Sequence, residues 1–192
     1  MQVVSLIWQL RGVADVRKIW AAEMIILLIL LALIFAHITY KDVKTRVIFR
    51  YDLFALVLLR IVMLLVTWVG AEFFESDAVL GLNAEQWSIR SLVMSAAVAI
   101  IVVALLQTLA YVVNRLTNKY GEKEESLGVG DVWLYGACCL FLSVEQVFLM
   151  VLLSALIGGV MALYVKVIKK QRTFPFAPAI VWATFVALVL PL

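Results

Sequence analysis

The chain has 192 residues, 66% of them hydrophobic and 15% charged, with a net charge of +3 and a mean hydropathy of +1.09. That balance excludes an ordinary soluble globular domain and leaves no room for a separate one of usual size beside the apolar segments. It predicts an all-α, polytopic membrane protein whose first partner is the lipid bilayer; no nucleic-acid partner is expected.

Residues 1–20 carry Arg11, Arg17 and Lys18 and lack the long apolar core of a signal peptide. Val3, Ile7, Leu10, Val13 and Trp20 recur at roughly helical spacing, which predicts an amphipathic helix lying in the membrane surface. Residues 21–192 then form one membrane domain. Its apolar stretches run over 24–40, 53–70, 92–113, 132–142, 147–167 and 177–190, and predict a six-helix transmembrane bundle. The fourth is short unless its helix begins near Gly130. Short spans are tolerated where protein or a watery cavity surrounds them.

Lysine and arginine in the links set the orientation. Lys41, Lys44, Arg46 and Arg50 follow the first stretch; Arg115, Lys119 and Lys123 follow the third; Lys166, Lys169, Lys170 and Arg172 follow the fifth. The second link holds Arg90 with Glu72, Glu75, Asp77 and Glu85, and the fourth holds Glu145. The odd-numbered links are therefore expected in the cytoplasm, with the basic N-terminal segment as the one dissenting feature.

Three unusual features then share one face. Asp42 lies two residues past the first stretch, Gly128-Val129-Gly130-Asp131 opens the fourth, and Pro175-Phe176-Ala177-Pro178 opens the sixth. A carboxylate at a membrane boundary caps a helix or performs chemistry. Two carboxylates held together share one proton, so the ionised member takes a proton from water while the other donates to a peptide carbonyl. This chemistry needs no metal and no cofactor. Gly128 and Gly130 permit φ > 0 and close approach to a substrate strand. Pro175 and Pro178, with Phe176 between them, discourage regular helix and leave carbonyls for an extended substrate; taken singly, each proline is also a plain helix start.

In this order the motifs resemble the type IV prepilin peptidases, intramembrane aspartyl proteases of the Gly-x-Gly-Asp class. The resemblance runs from about Met24 to the end. The family's Asp-x-x-x-x-x-Ile-Pro is met by Asp42 to Ile48, with Phe49 in place of Pro. Its Gly-x-Gly-Asp-x-Lys-Leu is met by Gly128 to Leu134, with Trp133 in place of Lys. The resemblance implies that Asp42 and Asp131 are the catalytic pair. It also implies a single-span, prepilin-like protein substrate with a short basic leader, cut at the cytoplasmic face of a prokaryotic membrane. Larger members carry an N-terminal domain with Cys-x-x-Cys pairs and methylate the new N-terminus; this chain is expected to be a short form without that activity. The two departures bear on substrate choice, and a related protease with another peptide client is the alternative. A non-enzymatic scaffold is the reading from outside enzymology. Transport is disfavoured, because the acids lie at boundaries and links and no internal repeat is evident.

Other residues have plainer readings. Asp52, in the opening turn of the second span, rivals Asp42 but has an ordinary place near a helix N-terminus. Arg60, mid-span, needs a partner and is read as structural. His37 is a packing residue with a tuning role open to it, and adjacent Cys138 and Cys139 are packing residues. Ala155, Gly158, Gly159 and Ala162 predict close helix packing within the bundle or between protomers. Glu122, Glu124 and Glu125, with Lys123, form a charged link that would receive a basic leader.

Overall fold

The computed structural model describes residues 25–73, 89–119, 128–168 and 175–190. The expected surface helix over 1–20, the acidic link of Glu122, Glu124 and Glu125, and Lys169, Lys170, Arg172 and Phe174 lie outside them. Among the described residues all regular structure is α-helical. The helices are α1 Ile25–Thr45, α2 Arg50–Phe73, α3 Ile89–Lys119, α4 Val129–Cys139, α5 Val144–Val167 and α6 Ala177–Val189.

Four of the six, α1, α2, α3 and α5, are long and apolar enough to cross a membrane. At a rise of about 1.5 Å per residue, α4 and α6 reach only about 16 and 20 Å. Both lie at the centre of the bundle. Leu134, Cys138 and Cys139 of α4 and Ala177, Ile180 and Ala183 of α6 are fully buried, so both cysteines do pack as expected. α6 lies chiefly on α5, and α4 on α3, with further contacts of α4 to α2 and α6. Close approach is made by glycine: a Cβ on Gly136 of α4 would stand 2.7 Å from Cγ2 of Val103 in α3.

Polar groups pin the far end of α4. Arg60, 1% exposed in the middle of α2, donates from Nε to the Leu140 carbonyl at 2.7 Å. That carbonyl belongs to the C-cap of α4, where the helix dipole is negative and carbonyls lack helical partners. Arg60 is thus a structural clamp between α2 and α4. Ser143 then opens α5 through a capping box with Gln146. Gln146 reaches on to the Leu190 carbonyl at the end of α6.

The helix boundaries correct the apolar boundaries in one informative place. α1 continues five residues past Tyr40, because Lys41, Asp42 and Lys44 are compatible with helix even though they end the apolar run. Asp42 therefore sits on the last turn of α1 rather than in a free link. The Arg46 N–H still bonds the Asp42 carbonyl at 2.9 Å, and Arg46 at φ 55° turns the chain in the left-handed region.

Candidate active site

Asp42 is 5% exposed, and its Oδ2 accepts a 3.0 Å hydrogen bond from the backbone N–H of Ala177. Ala177 is the first residue of α6, so its N–H has no carbonyl partner within the helix. The same turn presents the positive end of the helix dipole. A carboxylate is the natural acceptor there. One contact thus joins chain segments 135 residues apart.

Asp131 stands in the first turn of α4, the third residue after Gly128, which is the N-cap. Burial first, and the charge of Asp42 second, push its carboxyl up to about 7, against the opposing pull of the Gly128 backbone. Both upward effects disfavour a second anion beside the first. The two acids that the sequence singled out are thus near enough for the charge of one to act on the other.

The glycines serve approach rather than unusual backbone angles. Gly128 is extended at φ −68°, ψ 139°, which corrects the expectation of φ > 0; any residue adopts that conformation. What a side chain there would meet is the Asp131 carboxylate, 3.2 Å from an added Cβ. Gly130 lets α4 rest on the α1–α2 turn, where an added Cβ would stand 3.2 Å from that of Ile48.

The Pro-Phe-Ala-Pro run starts α6 instead of unwinding it. Pro178 lies buried in the first turn, where its missing N–H removes no helical bond. The Phe176 carbonyl is taken by Ala179 and Ile180, so this stretch leaves fewer open carbonyls than the prolines suggested. Pro175 and Phe176 are half-buried. The Phe176 ring leans on Tyr135 of α4, with centroids 6.3 Å apart, and lies over Gly158 of α5, where any Cβ would overlap it. Tyr135 in turn hydrogen-bonds Ser154 of α5.

Asp52 takes a different place. Its Oδ1 lies 3.7 Å from Nε2 of the half-exposed His37, and its buried Oδ2 has no hydrogen-bond partner among the described residues. His37 therefore faces Asp52 rather than Asp42. Phe49, the residue standing where the resembled motif has proline, stacks on Tyr51 with centroids 5.2 Å apart. The Lys41 ammonium lies 4.3 Å above the Phe49 ring. Trp133, the other departure, is 52% exposed on the outward face of α4. The small-residue row of α5 divides: Gly158 is buried against Phe176, whereas Ala155 and Gly159 are exposed and Gly159 has open space around it. Sequence reasoning missed the Ala177 N–H and the pairing of Gly158 with Phe176. A backbone donor has no residue signature, and Gly158 carried one only as part of that row.

Among the described residues no group of three or more His, Cys, Asp or Glu side chains is placed to hold a metal ion. A family model described as the type IV leader peptidase family matches residues 25–163. That stretch contains both aspartates and stops before Pro175. No curated protein and no solved structure matches the chain.

Proposed function

The chain belongs to the type IV leader peptidase family, and on that premise we propose that it is an intramembrane aspartyl endopeptidase with Asp42 and Asp131 as its catalytic pair. The observation that carries this reading is the buried Asp42 carboxyl, held at the N-terminus of α6 and near enough to half-buried Asp131 for its charge to act on it. In the reaction, the ionised aspartate takes a proton from water as the water oxygen adds to the peptide carbonyl carbon. The other aspartate gives its proton to the carbonyl oxygen, forming a neutral diol. The acid gained from water then protonates the amide nitrogen, and the C–N bond breaks. A diol hydroxyl returns its proton to the second aspartate, leaving a carboxylic acid and a free amine. One water is consumed, and both aspartates return to their starting states.

The substrate we propose is a single-span prepilin or pseudopilin-like precursor that presents a short cytoplasmic leader to the pair. Basic residues in the odd-numbered links support a site at the cytoplasmic face of a prokaryotic cell membrane. Hydrolysis without methyl transfer is part of the proposal, since the two cysteines are adjacent, buried and not spaced as Cys-x-x-Cys. A second reading, a different peptide client, is favoured by Phe49 and Trp133 standing where the resembled motifs have Pro and Lys.

The test is cleavage of a co-expressed prepilin-like precursor by the wild type, Asp42→Asn and Asp131→Asn. Loss in both variants, with normal expression and insertion, supports the pair. Persistent cleavage by Asp42→Asn would move the first role to Asp52. An intact precursor with the wild type would rule out this client and turn attention to the second reading.

A further inference from the structure

The two aspartates are held differently, and the difference assigns them separate roles. We propose that Phe176 and Gly158 form a positioning device for the pair: the ring, seated where Gly158 has no side chain, holds the Ala177 N–H on Oδ2 of Asp42 and fixes Asp42 as the ionised, water-activating member. This inference rests on the peptidase reading and adds to it the division of labour and the residues that enforce it.

Three geometric facts lead there. The Ala177 N–H is the residue after Phe176, so the ring's seat sets where that donor points. A Cβ at Gly158 would overlap the ring, and Tyr135 closes it from the α4 side. The bond it holds, 3.0 Å to a buried oxygen, favours the charged form of its acceptor. Each aspartate meets a backbone group that favours charge, Gly128 at Asp131 and Ala177 at Asp42, but only one anion has to be kept, and the donor that α6 supplies goes to Asp42.

The other charges around Asp42 fit this division. Just past the end of its helix Arg46 brings a cation to Asp42, while the Lys41 ammonium is engaged over Phe49. Lys44 lies near the Tyr40 ring. From α4 come Asp131 and, one turn on, Tyr135, and from α2 Asp52, which faces His37. The described residues of α6 carry no ionisable side chain, so its contribution is the backbone donor and the helix end. With Asp42 as base, Asp131 keeps the proton that goes to the carbonyl oxygen. Gly158 and Phe176 touch no reacting atom; they are positioning residues.

Gly158→Ala tests the device. The added methyl displaces the ring, the N–H leaves Asp42, and the anion becomes harder to keep. We expect kcat on a prepilin-like precursor to fall roughly tenfold with KM within about twofold, and the acid limb of the pH profile to move up by roughly one unit. Phe176→Leu alone should act in the same direction. In the Gly158→Ala background, however, Phe176→Leu should raise activity, because it removes the overlap. A merely structural role for Gly158 would lower the amount of active enzyme and leave the pH profile in place.

The same device is read without any substrate by isotope-edited infrared titration of the Asp42 carboxyl in membranes of the Asp131→Asn variant. Subtracting the Asp42→Asn, Asp131→Asn double variant isolates the signal. The midpoint should rise by roughly one unit when Gly158→Ala is added. In single variants, Asp42 should ionise at lower pH than Asp131. An unmoved midpoint, or the reverse order of ionisation, would overturn the proposal. Failure of the wild type to cleave would count against the peptidase reading alone, since the titration does not depend on it.

Discussion

α4 and α6 are buried along most of their length, whereas α1, α2, α3 and α5 expose rows of large apolar side chains such as Ile100, Leu152, Leu156 and Phe54. In water such rows would be a defect. In a bilayer they are the surface that faces lipid, and lipid supplies no hydrophobic drive for helices to associate. The centre must therefore be held by close packing and polar contacts. That is where Gly136, Gly158, the Arg60–Leu140 clamp and the Asp42–Ala177 bond are found. The long helices meet the lipid; the short ones, being protein-enclosed, offer free N-termini to carboxylates.

The comparison breaks most visibly at the pair itself. Asp131 must be protonated to act as acid, and its carboxyl is pushed up to about 7. Cleavage should therefore fall as pH rises through that value, by roughly tenfold for each further unit. A pH profile of precursor cleavage in detergent or vesicles checks it. A flat alkaline limb would remove Asp131 from the acid role.

The shell is tested by a charge. Leu156 of α5 is 59% exposed, and Leu156→Asp should impair insertion by about 3 kcal/mol, measured as the inserted fraction of the chain. The two glycine environments sharpen the contrast further. Gly136→Val, against Val103, should destabilise by about 1–3 kcal/mol. Gly159→Val, into open space, should change stability by under about 0.5 kcal/mol. Thermal unfolding in detergent reads both, and equal losses would erase the distinction between centre and shell. The smallest effect belongs to His37→Gln: because His37 faces Asp52, cleavage rates should stay within about twofold of the wild type. A loss near that of the aspartate variants would place His37 in the reacting site.

Much of this was legible in the sequence, and the division follows the same two regions. Lipid-facing helices announce themselves by long apolar runs, so the all-α bundle and its six elements were readable. The family was readable from Asp42 and Gly128 to Asp131, which the family match later covered. The boundaries near the site were harder. Hydropathy ends the first stretch at Tyr40 although the helix runs to Thr45, because charge ends an apolar run without ending a helix. Composition does not tell which apolar helices face lipid and which are enclosed by the others, so the central place of α4 and α6 was not readable. Pro178 is readable as a helix start, but no sequence signal shows that the neighbouring Ala177 N–H reaches a carboxylate 135 residues away. That contact exists only in the folded bundle.

The most direct measurement is therefore of proximity. With Cys138 and Cys139 replaced by alanine, Asp42→Cys and Asp131→Cys are combined, and a protease site is placed in the link between α3 and α4. A short bismaleimide in native membranes should hold the two halves together after proteolysis. An Asp52→Cys, Asp131→Cys pair should give far less of the joined product. Efficient joining through position 52 with none through position 42 would contradict the account, because Asp42 could not then be the partner of Asp131.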